Sequence, residues 1–172
     1  MLDLTVRLAR RRVQLGFASG AVAFLLARPG WTSLLWGMAV ALAGEAIRVW
    51  AAGHLEKSRE VTRSGPYRFS RHPLYVGSTV MGAGIAVASA SIWVALVAAV
   101  YLGTTLTAAI RTEEAFLRGR FGDEYDNYCR GSAASVERPF SWERVWRNRE
   151  WRAMLGLLVV AGLLAGRIVW SS

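Results

Sequence analysis

Five apolar stretches, each approaching membrane length, set the first limit on what this chain can fold into. They cover residues 13–27, 31–52, 74–90, 92–110 and 153–170. Each nears the ~20 residues that an α-helix needs to cross a hydrocarbon core. Ala, Leu, Val and Gly dominate them, and no barrel-like alternation is visible. In lipid the backbone must satisfy its polar groups internally, so helices are the economical solution. The expected fold is all-α: a polytopic membrane bundle of about five transmembrane helices, forming a single integral membrane domain over residues 1–172.

Charge is segregated from these stretches. Hydrophobic residues make up 53% of the 172 residues, yet the net charge is +9. All of the 21 Lys and Arg except Arg28, Arg48 and Arg167 lie before the first stretch, between the second and third, or between the fourth and fifth. The positive-inside rule then puts the N-terminus and both long loops in the cytoplasm. The tryptophans agree: Trp31, Trp93 and Trp170 would mark the outer interface, and Trp50, Trp142, Trp146 and Trp151 the inner one. The expected location is a multi-pass position in a bacterial inner membrane. The first stretch has the basic start and apolar middle of a secretory signal, but no small-residue cleavage site precedes a soluble domain, and it reads as a span.

The basic charge serves topology and attraction to anionic headgroups rather than nucleic acid, since no aromatic and basic platform for stacking bases is present. One cysteine, Cys129, excludes an intramolecular disulfide, and with two histidines no Cys/His metal cage is expected.

Residues 65–77 are more than a connection between spans. They read Gly-Pro-Tyr-Arg-Phe-Ser-Arg-His-Pro-Leu-Tyr-Val-Gly. His72 precedes a proline and is pushed toward extended backbone, whereas Pro73 suits the first turn of a helix. The positive end of that helix, beside Arg71 and His72, suits a carboxylate or phosphate. Gly77 would let another helix or a ligand approach closely. A second polar cluster, Arg111-Thr112-Glu113-Glu114, falls where the fourth stretch ends, on a helix expected to continue with Glu114, Leu117 and Phe121 on one face. The carboxylates there either pair with Arg111 or Arg118 or bind a ligand, and Tyr125 and Tyr128 follow with aromatic faces.

In order, Gly65-Pro66-Tyr67, Arg71-His72-Pro73-x-Tyr75-x-Gly77, Glu113-Glu114-x-x-Leu117 and Phe121-Gly122-x-x-Tyr125-x-x-Tyr128 resemble the isoprenylcysteine carboxyl methyltransferase family and its phospholipid methyltransferase relatives. The likeness covers about residues 48–140 and leaves the last helix, 153–170, as an addition. It implies an integral membrane methyltransferase that binds S-adenosylmethionine on the cytosolic side without a Rossmann domain, and no Gly-rich dinucleotide fingerprint is present. It implies a cofactor pocket of Gly53, Tyr67, His72, Leu74, Tyr75, Gly77, Glu113, Glu114, Tyr125 and Tyr128. It leaves open which glutamate meets the ribose. Arg111, Glu114 and His72 would be the catalytic set, with Arg111 and Arg130 as candidates for an anionic group of the substrate. No metal is implied. The acceptor would be a lipid or lipidated small molecule, either a prenylcysteine-type carboxylate or a phospholipid amine. The alternatives are an NADPH-dependent reductase of the sterol-reductase type and a non-enzymatic membrane adaptor.

Three further features complete the reading. Glu45 and Arg48 stand one turn apart and are expected to pair or to face the bundle interior. Gly162 and Gly166 permit close helix packing, within the monomer or in a homodimer. His54 reads as an interfacial residue without a special role.

Overall fold

The computed structural model describes residues 2–134 and 136–171, and side chains from Gln14 onward. The side chains of Arg7, Arg10, Arg11 and Arg12, the basic residues before the first apolar stretch, lie outside the described residues, as does Ser135. Seven helices follow in order: α1 (Leu2–Leu26), α2 (Trp31–His54), α3 (Pro73–Ala88), α4 (Ile92–Phe121), α5 (Asp123–Cys129), α6 (Trp142–Arg147) and α7 (Trp151–Ser171). A 3-10 turn, Gly65–Arg68, precedes α3. No strand occurs among the described residues.

Of the five expected spans, α2, α4 and α7 are long and apolar enough to cross a membrane, while Gln14–Leu26 and Pro73–Ala88 are apolar but shorter. The third span contracts because Pro73 fixes its start and the turn at Ser89 ends it. Its 16 residues rise only about 24 Å. The fourth span, in contrast, continues without a break through the Glu113 cluster to Phe121, giving a 30-residue helix.

The closest helix pair is α2 with α3, and small residues make it possible. A Cβ on Gly44 would come within 2.6 Å of the Gly77 carbonyl oxygen. One on Gly84 would come equally near the Gly37 carbonyl oxygen. Ala41 and Ala88 fill the intervening positions and are fully buried. In lipid there is little hydrophobic drive between helices, so such close backbone contact is what holds them. Gly77 therefore serves a neighbouring helix and not a ligand.

At the end away from the polar loops, Ala27, Leu34, Ala88, Val94, Leu164 and Ile168 form a packed core. The Arg28 amide donates to the Ser89 carbonyl at 2.8 Å, tying the two short turns together. Arg167 reaches the Leu25 carbonyl at 3.1 Å and lies over the Phe24 ring, which fastens α7 to α1. Gly162 and Gly166 face open space, with nothing within 4 Å of a Cβ built on either. The packing of α7 comes instead from its buried Leu157, Leu164 and Ile168.

Adding a side chain to the α2–α3 seam should be costly. Gly84→Val is expected to lower stability by about 1–3 kcal/mol through overpacking. Gly103→Ala, at an open position, should be near neutral. Thermal unfolding in detergent would compare the two.

Candidate functional site

The polar end of the bundle holds a cavity of about 390 Å³ between the loop that follows α2, the start of α3, the far part of α4, and α5. Its walls include Tyr67, Arg71, His72, Leu74, Tyr75, Glu113, Tyr125 and Tyr128. Pro73 starts α3 at the cavity wall and leaves His72 at the N-cap. One turn on, the Tyr75 hydroxyl donates to Glu113 Oε2 at 2.8 Å. Tyr128, on α5, donates to the Tyr67 carbonyl oxygen at 2.7 Å and so pins the 3-10 turn.

The two glutamates have different neighbours. Glu113 shares a face of α4 with Ala109, Thr112, Phe116 and Leu117, all of which line the cavity. Glu114 points beside it, 3.1 Å from His72 Nε2, with Arg71 at 3.7 Å and Arg118 at 3.5 Å. The helix phase thus groups Leu117 with Glu113 rather than with Glu114 and Phe121. The His72 ring also lies against Tyr75, centroids 5.7 Å apart.

Gly53 and Gly77 are not in the wall. Gly53 is buried under the Phe140 ring, and its carbonyl accepts from Arg144 Nε at 2.6 Å. Arg111 is exposed, and Arg130 is exposed and bonded to Asn127 at 2.9 Å, so neither lines the cavity. His54 is buried rather than interfacial: it meets Ser64 Oγ at 3.2 Å and lies beneath Gly65. A Cβ there would approach the His54 ring to 2.5 Å, and the backbone φ is +55°, so glycine is required twice over.

The loop supplies wall residues that no spacing in the sequence marks: Glu56, Lys57, Glu60 and Thr62. Its acids are clasped from outside. Arg138 grips Glu60 with two bonds of 2.6 and 2.7 Å. Arg147 meets both Glu56 oxygens at 2.7 Å. The excess of Arg between α5 and α7 was the available signal, but its partners lie some eighty to ninety residues away.

Burial, then the nearby Glu113 carboxylate, pushes the Tyr67 phenol well above its ordinary ionisation range. Burial, and after it the nearby Cys129 thiol, do the same for Tyr125. The Tyr128 phenol is pushed up to about 12, chiefly by burial. All three rings therefore stay neutral near pH 7. Among the described residues no three His, Cys, Asp or Glu side chains gather as a metal site.

Two apolar cavities adjoin this one. A groove of about 750 Å³ runs between α3 and α4 and is lined by His72 and Tyr75 at its polar end and by Gly82, Leu102, Gly103 and Leu106 further in. A chamber of about 390 Å³ lies on the other side of the α3–α4 contact, also bordered by Tyr75. Tyr75 is common to all three spaces.

The phospholipid methyltransferase family model matches residues 40–124, from the second half of α2 to the start of α5. That stretch, just under half of the chain, resembles the phospholipid methyltransferase family. It contains α3, α4 and most of the cavity wall, and it leaves α1, α6 and α7 outside. The chain is also similar to two curated proteins. The nickel-cobalt-cadmium resistance protein NccN of Alcaligenes xylosoxydans xylosoxydans is 36% identical over 93 residues, covering 53% of this chain and 43% of that protein. The cobalt-zinc-cadmium resistance protein CzcN of Cupriavidus metallidurans is 34% identical over 104 residues, covering 59% of this chain and 46% of that protein. The match thus spans less than half the length of either relative. No solved structure matches.

The buried phenols give a pH signature. Tyr128 holds its proton to about 12 when folded, against about 10 in an unfolded chain. Its contribution is intact below about pH 10 and is lost as pH rises toward 12, because only the unfolded state releases the proton there. Tyr128→Phe should flatten the fall of stability over that interval, measured by denaturation at stepped pH.

Proposed function

We propose that this chain is an S-adenosylmethionine-dependent membrane methyltransferase that acts on a lipid-like acceptor at the cytosolic face. One observation carries the reading: a polar cavity walled by tyrosines and a carboxylate shares His72 and Tyr75 with an apolar groove between two membrane-length or near-membrane-length helices.

The cavity fits the cofactor. Its volume lies in the range of small-molecule sites, roughly 300–1,000 Å³. The sulfonium and amino group are cationic, and the neutral faces of Tyr67, Tyr125 and Tyr128 with the Glu113 carboxylate suit them. The methionine carboxylate suits the N-terminal end of α3 with Arg71 beside it. Glu113 is the better placed of the two glutamates to accept from ribose hydroxyls, since it lies in the wall and Glu114 is held by His72, Arg71 and Arg118. Bound there, S-adenosylmethionine supplies an electrophilic methyl group on a good leaving group.

The chain's own work is alignment and the exclusion of water. The groove delivers the acceptor from the bilayer side, so its head arrives at Tyr75 while its apolar part stays among Gly82, Leu102 and Leu106. A carboxylate acceptor needs no base. A phospholipid amine must lose a proton, and His72 is placed to take it: with Nε2–H donating to Glu114, Nδ1 keeps its lone pair. The acceptor lone pair, so aligned, would take the methyl group that the cofactor supplies, with the carbon–sulfur bond as the one lost. Because both relatives are named for metal resistance, we place the lipid product in tolerance of nickel, cobalt or cadmium; loss of the chain should lower growth under those metals.

Calorimetry on the detergent-purified chain tests the reading. S-adenosylmethionine should bind and NADPH should not. Glu113→Ala should weaken binding about tenfold, or ~1.4 kcal/mol. Gly103→Trp, which fills the groove, should abolish methylation of added lipid and leave cofactor binding intact. NADPH binding in place of S-adenosylmethionine would move the assignment to a reductase, and binding of neither would favour an adaptor.

A further inference from the structure

Arg48, near the end of α2, is the point where three helices meet. Its guanidinium donates to the Leu74 carbonyl oxygen at 3.4 Å and to the Ser78 hydroxyl, both in the first two turns of α3. Ser78 in turn donates to the same carbonyl at 2.8 Å. The arginine stem lies over Gly77, where a Cβ would stand 2.6 Å from Arg48 Cγ. A second nitrogen of the guanidinium meets Glu150 Oε1 at 2.6 Å. The third, Nε, faces Glu45 at 3.6 Å, beyond hydrogen-bond reach.

Glu150 immediately precedes α7 and lies outside the stretch that matches the methyltransferase family. It is 5% exposed, as is Glu45. A buried guanidinium needs a close counter-charge, and removal of one partner leaves the other stranded. Glu150 supplies the close contact and Glu45 only a looser one. Neutralising Glu150 would leave Arg48 to turn away from α3 toward Glu45 or toward water. The Leu74 carbonyl and Ser78 would then lose their clamp. This same stretch of α3 carries Leu74 and Tyr75 and follows His72, all three in the cavity wall.

We propose that Glu150 is a positioning residue for the candidate site: through Arg48 it holds the first two turns of α3, and thereby fixes His72 and Tyr75. The proposal rests on the methyltransferase reading only for its effect on ligand. Its structural core stands on the contacts themselves. It gives α7 a role in the site although no residue of α7 lines the polar cavity among the described residues.

The test uses the full chain in lipid nanodiscs. Amide hydrogen exchange by mass spectrometry reads residues 71–80 and 151–160 separately, and calorimetry reads S-adenosylmethionine affinity. Glu150→Gln is expected to speed exchange at 71–80 and to weaken the cofactor about tenfold. Glu150→Asp, which keeps the charge on a stem one methylene shorter, should restore only part of both. Ser78→Ala added to Glu150→Gln should add little, because the two act through one guanidinium. Faster exchange confined to 151–160, with 71–80 at the parental rate, would overturn the proposal and reduce Glu150 to an anchor for α7. Additive effects of the two substitutions would overturn it as well. Should Glu150→Gln fail to fold, Glu150→Asp decides: the shorter acid must still loosen 71–80 measurably, and an unchanged rate there refutes the role. A parental chain that binds no S-adenosylmethionine would sink the methyltransferase reading, while the exchange result would still decide the link from Glu150 to α3.

Discussion

Backbone-to-backbone contact between α2 and α3 is what the rest of the molecule hangs on. In lipid, apolar side chains gain little by leaving the tails for each other, so helices associate through close packing and polar links. Gly37, Ala41 and Gly44 on one helix face Gly77, Gly84 and Ala88 on the other, and the two ribbons come close at each of these glycines. The seam sets how α3, which begins at Pro73, lies against α2. That beginning is where Pro73 places His72 and Tyr75, so the site's polar residues are located by residues that have no polar side chain at all.

The contrast with α4 is instructive. Toward α2 the face of α3 is small and closed. Toward α4 it contacts chiefly through Gly82 and Leu102, with cavities on both sides of that contact. The two helices are joined by a turn of only a few residues at one end and bridged by Tyr75–Glu113 and His72–Glu114 at the other. Polar bonds thus close an otherwise apolar wedge. An apolar groove and a polar cavity share one pair of side chains.

Much of this was legible in the residues. Pro73 fixed a helix start, and the tyrosines and His72 did come to one cavity with Glu113. Which of Glu113 and Glu114 lines the cavity could not be read until the phase of a continuous α4 was known, since adjacent residues point about 100° apart on a helix. Gly53 and Gly77 looked suited to a ligand because glycine marks any close approach, whether of a ring, a helix or a small molecule. Phe140 and α2 turn out to be what approaches. Glu56 and Glu60 had no periodicity to reveal them, and their significance comes from Arg147 and Arg138, far along the chain. Glu45–Arg48 was visible as a pair, but Glu150, the tighter partner of that arginine, lies a hundred residues away.

The uninterrupted length of α4 makes the molecule a gauge. From Trp93 to Glu113 the helix rises about 30 Å, which is roughly the thickness of a hydrocarbon core. One end carries the exposed Trp93, and the other carries Glu113 of the cavity wall. A rigid rod of that length cannot let its two ends choose their depths independently. Thinning or thickening a surrounding bilayer would tilt the rod or shift Glu113 relative to the surface, so the depth of the polar cavity would follow the membrane as much as the protein.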